Sequence, residues 1–519
     1  MIRNPKQVPA SGIIMLLLVL VNAIVLTLGY TSSVNHYWWL ILTAPFLIIG
    51  IYHRLQKKHS ILRNYPVIGY LRYLLENIRP EIRQYFFESD SDGKPFSRRQ
   101  RSIVYQRAKD EKQTVAFGMQ ADPAHPGYEW VAHTNFPVKV NRNDLRIIIG
   151  NEQCSQPYQS SILNIGAMSY GALSKTAIQS LNEGARIGGF AHNTGEGGIS
   201  PWHLKGGDLI WQIGTGYFGC RNADGNFDPE SFALNATRPE VKMIEVKLSQ
   251  GAKPGYGGML PAAKNTEEIA AIRLVPPHKT IISPPMHSAF HDALSLLQFL
   301  SQLRKLSGGK PVGFKICLGD KNELEDICRQ IKKTEIIPDF IVIDGAEGGT
   351  GAAPLEFTDH VGMPLHEALA LTSRTLTFYG LQGKIKIIAA GKIISGYDIL
   401  KALALGADAC YSARGMMFSL GCIQALQCDS GKCPVGIATQ ERSLYRAIDV
   451  TDKKIRVANF HRHTINAVTH LMEACGFSTL DEIDKSRFYR RLNLVETKSF
   501  DEIYPDNRSE LAQQISVLN

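Results

Sequence analysis

Apolar residues are spread along this chain in three different ways, and the changes between them divide it. Residues 12–30 (GIIMLLLVLVNAIVLTLGY) form an unbroken, uncharged run that is long enough, as a helix, to cross a bilayer. A second run, 37–52 (YWWLILTAPFLIIGIY), follows the short linker TSSVNH and opens on Trp38 and Trp39, where interfacial aromatics belong. Over 70–87 the pattern turns amphipathic. Leu71, Leu74, Leu75, Ile78, Ile82 and Phe86 recur three or four apart, which predicts a helix with one apolar face. SDSDGKPFSRRQR (89–101) reads as loop, and the short alternating runs within 138–149 predict strands. Beyond Ser160 the apolar runs become short and alternate with helical stretches. Strands are expected at 162–165, 190–192, 210–214, 243–247, 280–282, 312–317, 340–343, 385–389 and 409–412. Repeated β/α units close most naturally as a (β/α)8 TIM barrel, with reactive groups at the C-terminal ends of the strands. The expected organisation is therefore α/β. Residues 1–58 form an N-terminal transmembrane helical hairpin, 59–159 a helical connecting region, 160–440 the barrel and 441–519 a helix-rich tail.

Charge changes this picture only beside the apolar runs. The formal net charge is +9, and much of the basic excess lies in the first half, as at 53–59 and 98–107. Arg3 and Lys6 precede the first run, and His53, Arg54, Lys57 and Lys58 follow the second. Positive flanks on both sides predict an inner or plasma membrane hairpin with both ends, and the catalytic domain, in the cytoplasm. A signal peptide is disfavoured by the length of the run and the lack of a small-residue cleavage site. No zinc-finger, RNP-like or aromatic–basic pattern points to nucleic acid. Nine cysteines, an odd number, argue for a reducing compartment.

The densest chemistry is GCIQALQCDSGKCPVGIATQ (421–440), where Cys422, Cys428 and Cys433 are spaced C-x5-C-x4-C and followed by Pro434. Three thiolates on one short loop suit three corners of an iron–sulfur cluster. Zinc would want a fourth ligand, and none lies nearby at a usual spacing. Three buried or free thiols gathered by chance are the plain alternative.

This loop, ending CPVGIATQ, resembles the cluster loop of the glutamate synthase FMN domain. So do GAMSYGALS (166–174), NTGEGG (193–198), QGAKPGYGGMLP (250–261), ISPP (282–285) and EGGTGAAP (347–354). The resemblance covers a little over half the chain. It implies FMN, a 3Fe-4S cluster on the three cysteines, and reductive amination of 2-oxoglutarate to glutamate. Electrons would come from a ferredoxin or a reductase subunit. It implies that Lys253 and Arg273 stand near the 2-oxo acid, two cations suited to a dicarboxylate, and that Glu196 stands near the flavin. The implied FMN segment is 369–421. Barrel phosphate sites use the last two β/α loops, so Gly391, Gly396 and Gly415 are expected to bring backbone N–H groups to the phosphate, with Lys392 or Arg414 adding charge. Ala167, Met168 and Ser169 are expected at the isoalloxazine edge. Lys315, in GFKIC, is either a cation near flavin N1/O2 or a solvated rim lysine.

The chain also departs from that family. GEGGQLP is replaced by GYGGMLP, so Tyr256 and Met259 stand for an acid and an amide. GHDGGTGASP becomes Gly345-Ala346-Glu347-Gly348-Gly349, ISPPPHHD becomes Ser283-Pro284-Pro285-Met286-His287-Ser288-Ala289, and DGGL becomes Ala390-Gly391-Lys392-Ile393. No glutaminase domain with a leading cysteine is expected before the barrel, no glycine-repeat helix after it, and no G-x-G-x-x-G dinucleotide motif. Ammonia would then be free, come from a separate amidotransferase, or be replaced by another amine. Two rivals follow: an FMN oxidoreductase of a different 2-oxo or amino acid, and a non-catalytic electron-transfer subunit.

Overall fold

The computed structural model describes residues 10–111 and 113–506. Arg3 and Lys6, and the tail beyond 506, lie outside the described residues. The chain divides into two compact units, Met1–Arg98 and Arg99–Asn519.

The first unit is helical. Helices α1 (Ala10–Thr31) and α2 (Leu40–Leu55) are joined through a 3-10 stretch, Val34–Trp39. Helix α1, and α2 taken together with the 3-10 stretch, are long and apolar enough to cross a membrane, with mean hydropathy 2.6 over Gly12–Thr31 and 1.4 over Val34–Leu55. They pair through small and polar positions. Thr43 Oγ1 donates to Asn22 Oδ1 at 3.0 Å, and a Cβ on Gly50 would lie 2.9 Å from Leu18. Two further helices follow, α3 (Ser60–Asn64) and α4 (Gly69–Ile82).

The second unit is built on a closed barrel of eight parallel strands. They are β1 (Leu163–Ile165), β2 (His192–Asn193), β3 (Leu209–Ile213), β4 (Val241–Lys247), β5 (Val312–Ile316), β6 (Phe340–Asp344), β7 (Lys386–Ala390) and β8 (Ala409–Ser412). Each pairs with its sequence neighbours, and β8 closes on β1 with Ser412 opposite Ile165. The short apolar runs are explained by burial on both faces: β3, β5 and β6 are buried at every position.

The expected (β/α)8 barrel is thus present, with differences in detail. Of nine expected strands, 280–282 lies outside the barrel. Ile281–Ile282 instead pairs antiparallel with Met259–Leu260 in a small flap between β4 and β5, and Ile282 faces solvent. Neither Ile281 nor Ile282 is buried, whereas even the two-residue β2 is. The β2–β3 crossing carries only a 3-10 turn, Gly195–Gly197. The helix that completes the ring, Val450–Cys475, comes from the segment read as a tail. It packs on helix Lys175–Gly188 after β1 and helix Gly396–Ala404 before β8. Close approach depends on two glycines: a Cβ on Gly184 would lie 2.6 Å from Val457, and one on Gly396 would lie 2.9 Å from Ala467. The tail also contains strands Phe488–Arg491 and Thr497–Ser499, which form a sheet with Glu129–Val131. Each is only three or four residues long and includes a charged residue, too short a run for an apolar alternation to show.

Candidate functional site

Two lysines end side by side at the barrel mouth, since Lys247 on β4 is the register partner of Lys315 on β5. Two ammonium groups so close require anions, and each has one. Lys247 Nζ lies 2.9 Å from Glu196 Oε1, and Lys315 Nζ lies 3.1 Å from Asp344 Oδ2. Burial works against the Glu196 carboxylate, but Lys247, helped by Arg273 and Lys253, outweighs it and holds its pKa below the usual range. Burial likewise opposes the charge on Lys315, and Asp344 and Glu245 reverse that, raising its pKa. Glu196 and Lys315 are therefore both charged at neutral pH. Lys315 is buried rather than a solvated rim lysine.

Glu196 sits on the 3-10 turn after β2, cradled by glycines. Cβ atoms on Gly214 and Gly258 would lie 2.5 and 2.9 Å from its carboxylate oxygens. Gly195, at φ +63°, lies so close to the first loop that a Cβ would come 2.6 Å from Ser169 N. The loop of Ala167, Met168 and Ser169 is thereby wedged between β8 and Glu196, with Gly166 N–H donating to Ser412 O at 3.1 Å.

Arg273 ends helix Glu267–Arg273 and braces this loop from behind. Its Nη2 donates to Tyr170 O at 3.1 Å and lies 3.5 Å from Ser169 Oγ, and its guanidinium stacks on Phe218 at 4.8 Å. Its buried Nε has no hydrogen-bond partner among the described residues. Burial lowers its pKa to about 10, opposed by Glu196. Lys253 Nζ donates to Gly257 O at 3.3 Å, and burial, reinforced by Lys247, lowers its pKa. The cleft beside them is lined by Glu196, Thr215, Lys247, Tyr256, Pro284 and Pro285.

Glu196, Lys253, Arg273 and Ser169 are thus brought together, and the residue that sequence reasoning missed is Lys247. Its signal was a charge at the end of a strand expected in a barrel, where reactive groups gather. His287 fixes its backbone, Nε2 lying 2.9 Å from Lys247 O. Tyr217 O–H receives Ala289 N–H at 3.1 Å and so donates to His287 Nδ1 at 3.0 Å. Burial holds His287 neutral, its pKa down to about 4. Deeper in the barrel Gln212 Nε2 donates to Glu245 Oε1 at 2.5 Å, and burial raises the Glu245 pKa. The buried Asn193 amide and Tyr411 hydroxyl lie beside the Glu245 carboxylate.

The last two loops are arranged differently from one another. Gly391 adopts φ +146°, and Ser395 caps the next helix in a capping box with Asp398. A Cβ on Gly415 would lie 2.4 Å from Ser412 Oγ and 3.2 Å from Phe460, so packing also requires a glycine there, as at Gly396. Arg414 reaches the cysteine loop: its Nη1 lies 3.6 Å from Cys428 Sγ, and its Nη2 donates to Thr350 O. Cys422 and Cys433 are buried, Cys428 is partly exposed, and all three are free thiols. Lys264, 164 residues from Cys428, holds the loop by donating to Cys428 O at 2.7 Å and Ala438 O at 3.3 Å. Tyr105 donates to Cys422 O at 2.6 Å. Among the described residues no three His, Cys, Asp or Glu side chains converge on a single ion. Thiolates that each bind a different iron of one cluster stand farther apart than ligands sharing one ion.

Comparison with known proteins follows the same lines. The sequence profile for the conserved region in glutamate synthase matches residues 112–478. A glutamate synthase large subunit-like protein of Bacillus subtilis, YerD, is 39% identical over 477 residues, covering 84% of this chain and 90% of its own. An archaeal glutamate synthase [NADPH] of Methanocaldococcus jannaschii is 36% identical over 325 residues, covering 62% of this chain and 60% of its own. Among solved structures, a flavocytochrome b2 with pyruvate bound covers 80% of this chain and 85% of its own at 12% identity and TM-score 0.41. The barrel assignment rests on the strand pairing and not on that overlap. With the profile match spanning well over half of its residues, the chain belongs to the glutamate synthase family, as an oxidoreductase of that type.

Proposed function

We propose that this protein is a membrane-anchored FMN and 3Fe-4S oxidoreductase that reductively aminates 2-oxoglutarate to glutamate, taking electrons from a ferredoxin or reductase partner through the cluster. The observation that carries this reading is the charge at the cleft. Lys247, Lys253 and Arg273 face the single carboxylate of Glu196, an excess of cation that suits a dicarboxylate.

The residues present fit both groups. For a flavin there are the buried, charged Lys315 and the loop of Ala167, Met168 and Ser169, against which Gly195 leaves no room for a Cβ. Gly391, Gly396 and Gly415, with Lys392, are the candidates for its phosphate. For a cluster there are the three unbridged thiols, with Lys264 and Arg414 as nearby positive charge. When bound, FMN supplies hydride and the cluster supplies electrons for the reductive step. In this reading Arg273 and Lys253 attract the carboxylates while Lys247 donates to the 2-oxo oxygen as it departs as water. Glu196 holds Lys247 in place through their 2.9 Å pair and balances charge on the incoming nitrogen. That nitrogen comes from free ammonium or a separate amidotransferase. Helices α1 and α2 span the inner or plasma membrane, with the barrel in the cytoplasm.

One observation favours a different 2-oxo or amino acid. Tyr256 packs on Phe357 at 5.5 Å, and with the exposed Met259 it gives the cleft an apolar lip. Anaerobic titration of the reduced protein separates the two readings. Flavin reoxidation by 2-oxoglutarate plus ammonium is expected, and reoxidation only by an apolar 2-oxo acid would transfer the assignment to the rival. In parallel, Cys428→Ser should lose iron and keep FMN; full iron content in that variant would remove the cluster assignment.

A further inference from the structure

Helix α4 carries an apolar stripe. At about 100° per residue, Leu71, Leu74, Leu75, Ile78 and Ile82 fall within an arc of about 100°. Leu71, Leu74 and Leu75 are 55, 56 and 51% exposed, and the π-turn Arg83–Phe87 extends the apolar surface with Tyr85, Phe86 and Phe87 at 56, 80 and 79%. Single exposed leucines are ordinary, but a contiguous stripe of this length marks an interaction surface. Arg79 and Arg83 line one flank of it, roughly 80–120° from its centre, and Arg72 beside them pairs with Glu76 at 2.9 Å.

Where the stripe starts says what covers it. The chain is fastened at the end of α2, with Val67 N–H donating to His53 Nδ1 at 3.0 Å and the His53 and Tyr70 rings 4.6 Å apart. His59 lies 6.0 Å from Tyr73, the half-buried residue on the side of α4 away from the stripe. The stripe therefore begins where the apolar hairpin ends. An apolar face flanked by arginines, at the mouth of a membrane-spanning pair, matches acyl chains below and anionic headgroups beside them.

We infer that α4 lies in the surface of an anionic bilayer, as a second membrane contact beside the hairpin. The inference rests on the reading of α1 and α2 as membrane-spanning, and the test keeps the two apart. The full-length chain is reconstituted in phosphatidylcholine vesicles with and without phosphatidylglycerol. A photoreactive p-benzoylphenylalanine replaces Leu20 in α1, Leu74 on the stripe, or Asn77 on the polar side. Lipid adducts are then counted by mass spectrometry. Leu74 should label lipid like Leu20 and at least about tenfold above Asn77, as an interfacial face requires. Labelling at Leu74, and not at Leu20, should fall several-fold without phosphatidylglycerol or in Arg79→Gln/Arg83→Gln. Labelled Leu20 with Leu74 at the Asn77 level, or Leu74 crosslinked to a second copy of the chain, overturns the inference and leaves the hairpin standing. Indifference of Leu74 to phosphatidylglycerol overturns its anionic part. No lipid on either residue removes the hairpin reading and this inference with it.

Discussion

Leucine and isoleucine have opposite surroundings in the two units of this protein. In the barrel, Leu209, Ile210, Ile244, Ile341 and Ile388 are wholly buried, whereas in the hairpin Leu16, Leu17, Ile24, Ile41, Leu42 and Ile48 are 56–66% exposed. The backbone is satisfied in both, by a closed sheet in one and by helical ladders in the other, and these are the two arrangements that tolerate an apolar surrounding. The difference is who supplies that surrounding. The barrel strands are covered by their own helices, whereas α1 and α2 bury Asn22 and Gly50 between them and leave their large apolar side chains outward. Residue type alone does not decide burial; the partner available to the surface does.

The largest test of that contrast is to remove residues 1–58. The protein should change from wash-resistant in membranes to salt-extractable, with FMN still bound, as read by sedimentation and flavin absorbance. A truncated chain that resists the wash would mean that the exposed apolar surface of α1 and α2 is not the anchor. A gentler version swaps one side chain in each unit. Phe340→Ala should cost the barrel about 3–5 kcal/mol, while Leu20→Ala should shift it by less than about 0.5 kcal/mol, measured by denaturant unfolding in detergent. Equal losses would break the contrast.

The third test concerns the charges that barrel closure buries. Arg273→Ala should weaken 2-oxoglutarate binding by about 2–5 kcal/mol, and Arg273→Lys should recover only part of it, since an ammonium lacks the planar fork of the guanidinium. Bound FMN should be unchanged in both. Equal affinity in all three proteins would show that Arg273 serves only the fold.

The smallest effect is in pH. His461 is buried against Phe190, ring centroids 4.0 Å apart, and burial lowers its pKa to about 3. The unfolded imidazole, near 6.5, binds a proton that the folded one refuses, so barrel stability is full above about 6.5 and falls as pH drops toward 3. The slope is about 1.4 kcal/mol per pH unit for each such histidine. His461→Gln should lose that share of the slope between pH 6 and 5, even if it lowers stability at every pH. An unaltered slope would mean that His461 is protonated in the folded barrel.

Much of this molecule was determined by local pattern. Uniform apolarity marked α1 and α2, short apolar runs marked the barrel strands, and spacing alone singled out Cys422, Cys428 and Cys433, because each is a property of adjacent residues. Glycine motifs identified the mouth for a similar reason, since backbone that approaches backbone tolerates no Cβ, as at Gly195. Other features appeared only when the barrel closed. Glu196 meets Lys247 across 51 residues, Lys264 grips Cys428 across 164, and Arg414 reaches Cys428 and Thr350. Residues 441–519 were legible only as helix-rich, and nothing in them told that helix Val450–Cys475 completes the ring; Gly184 and Gly396 on two other helices make room for it. Periodicity is written by neighbours along the chain and can be read there. Ion pairs, braces and the order of helices around a barrel depend on strand register, which brings distant residues together only after every strand has found its place.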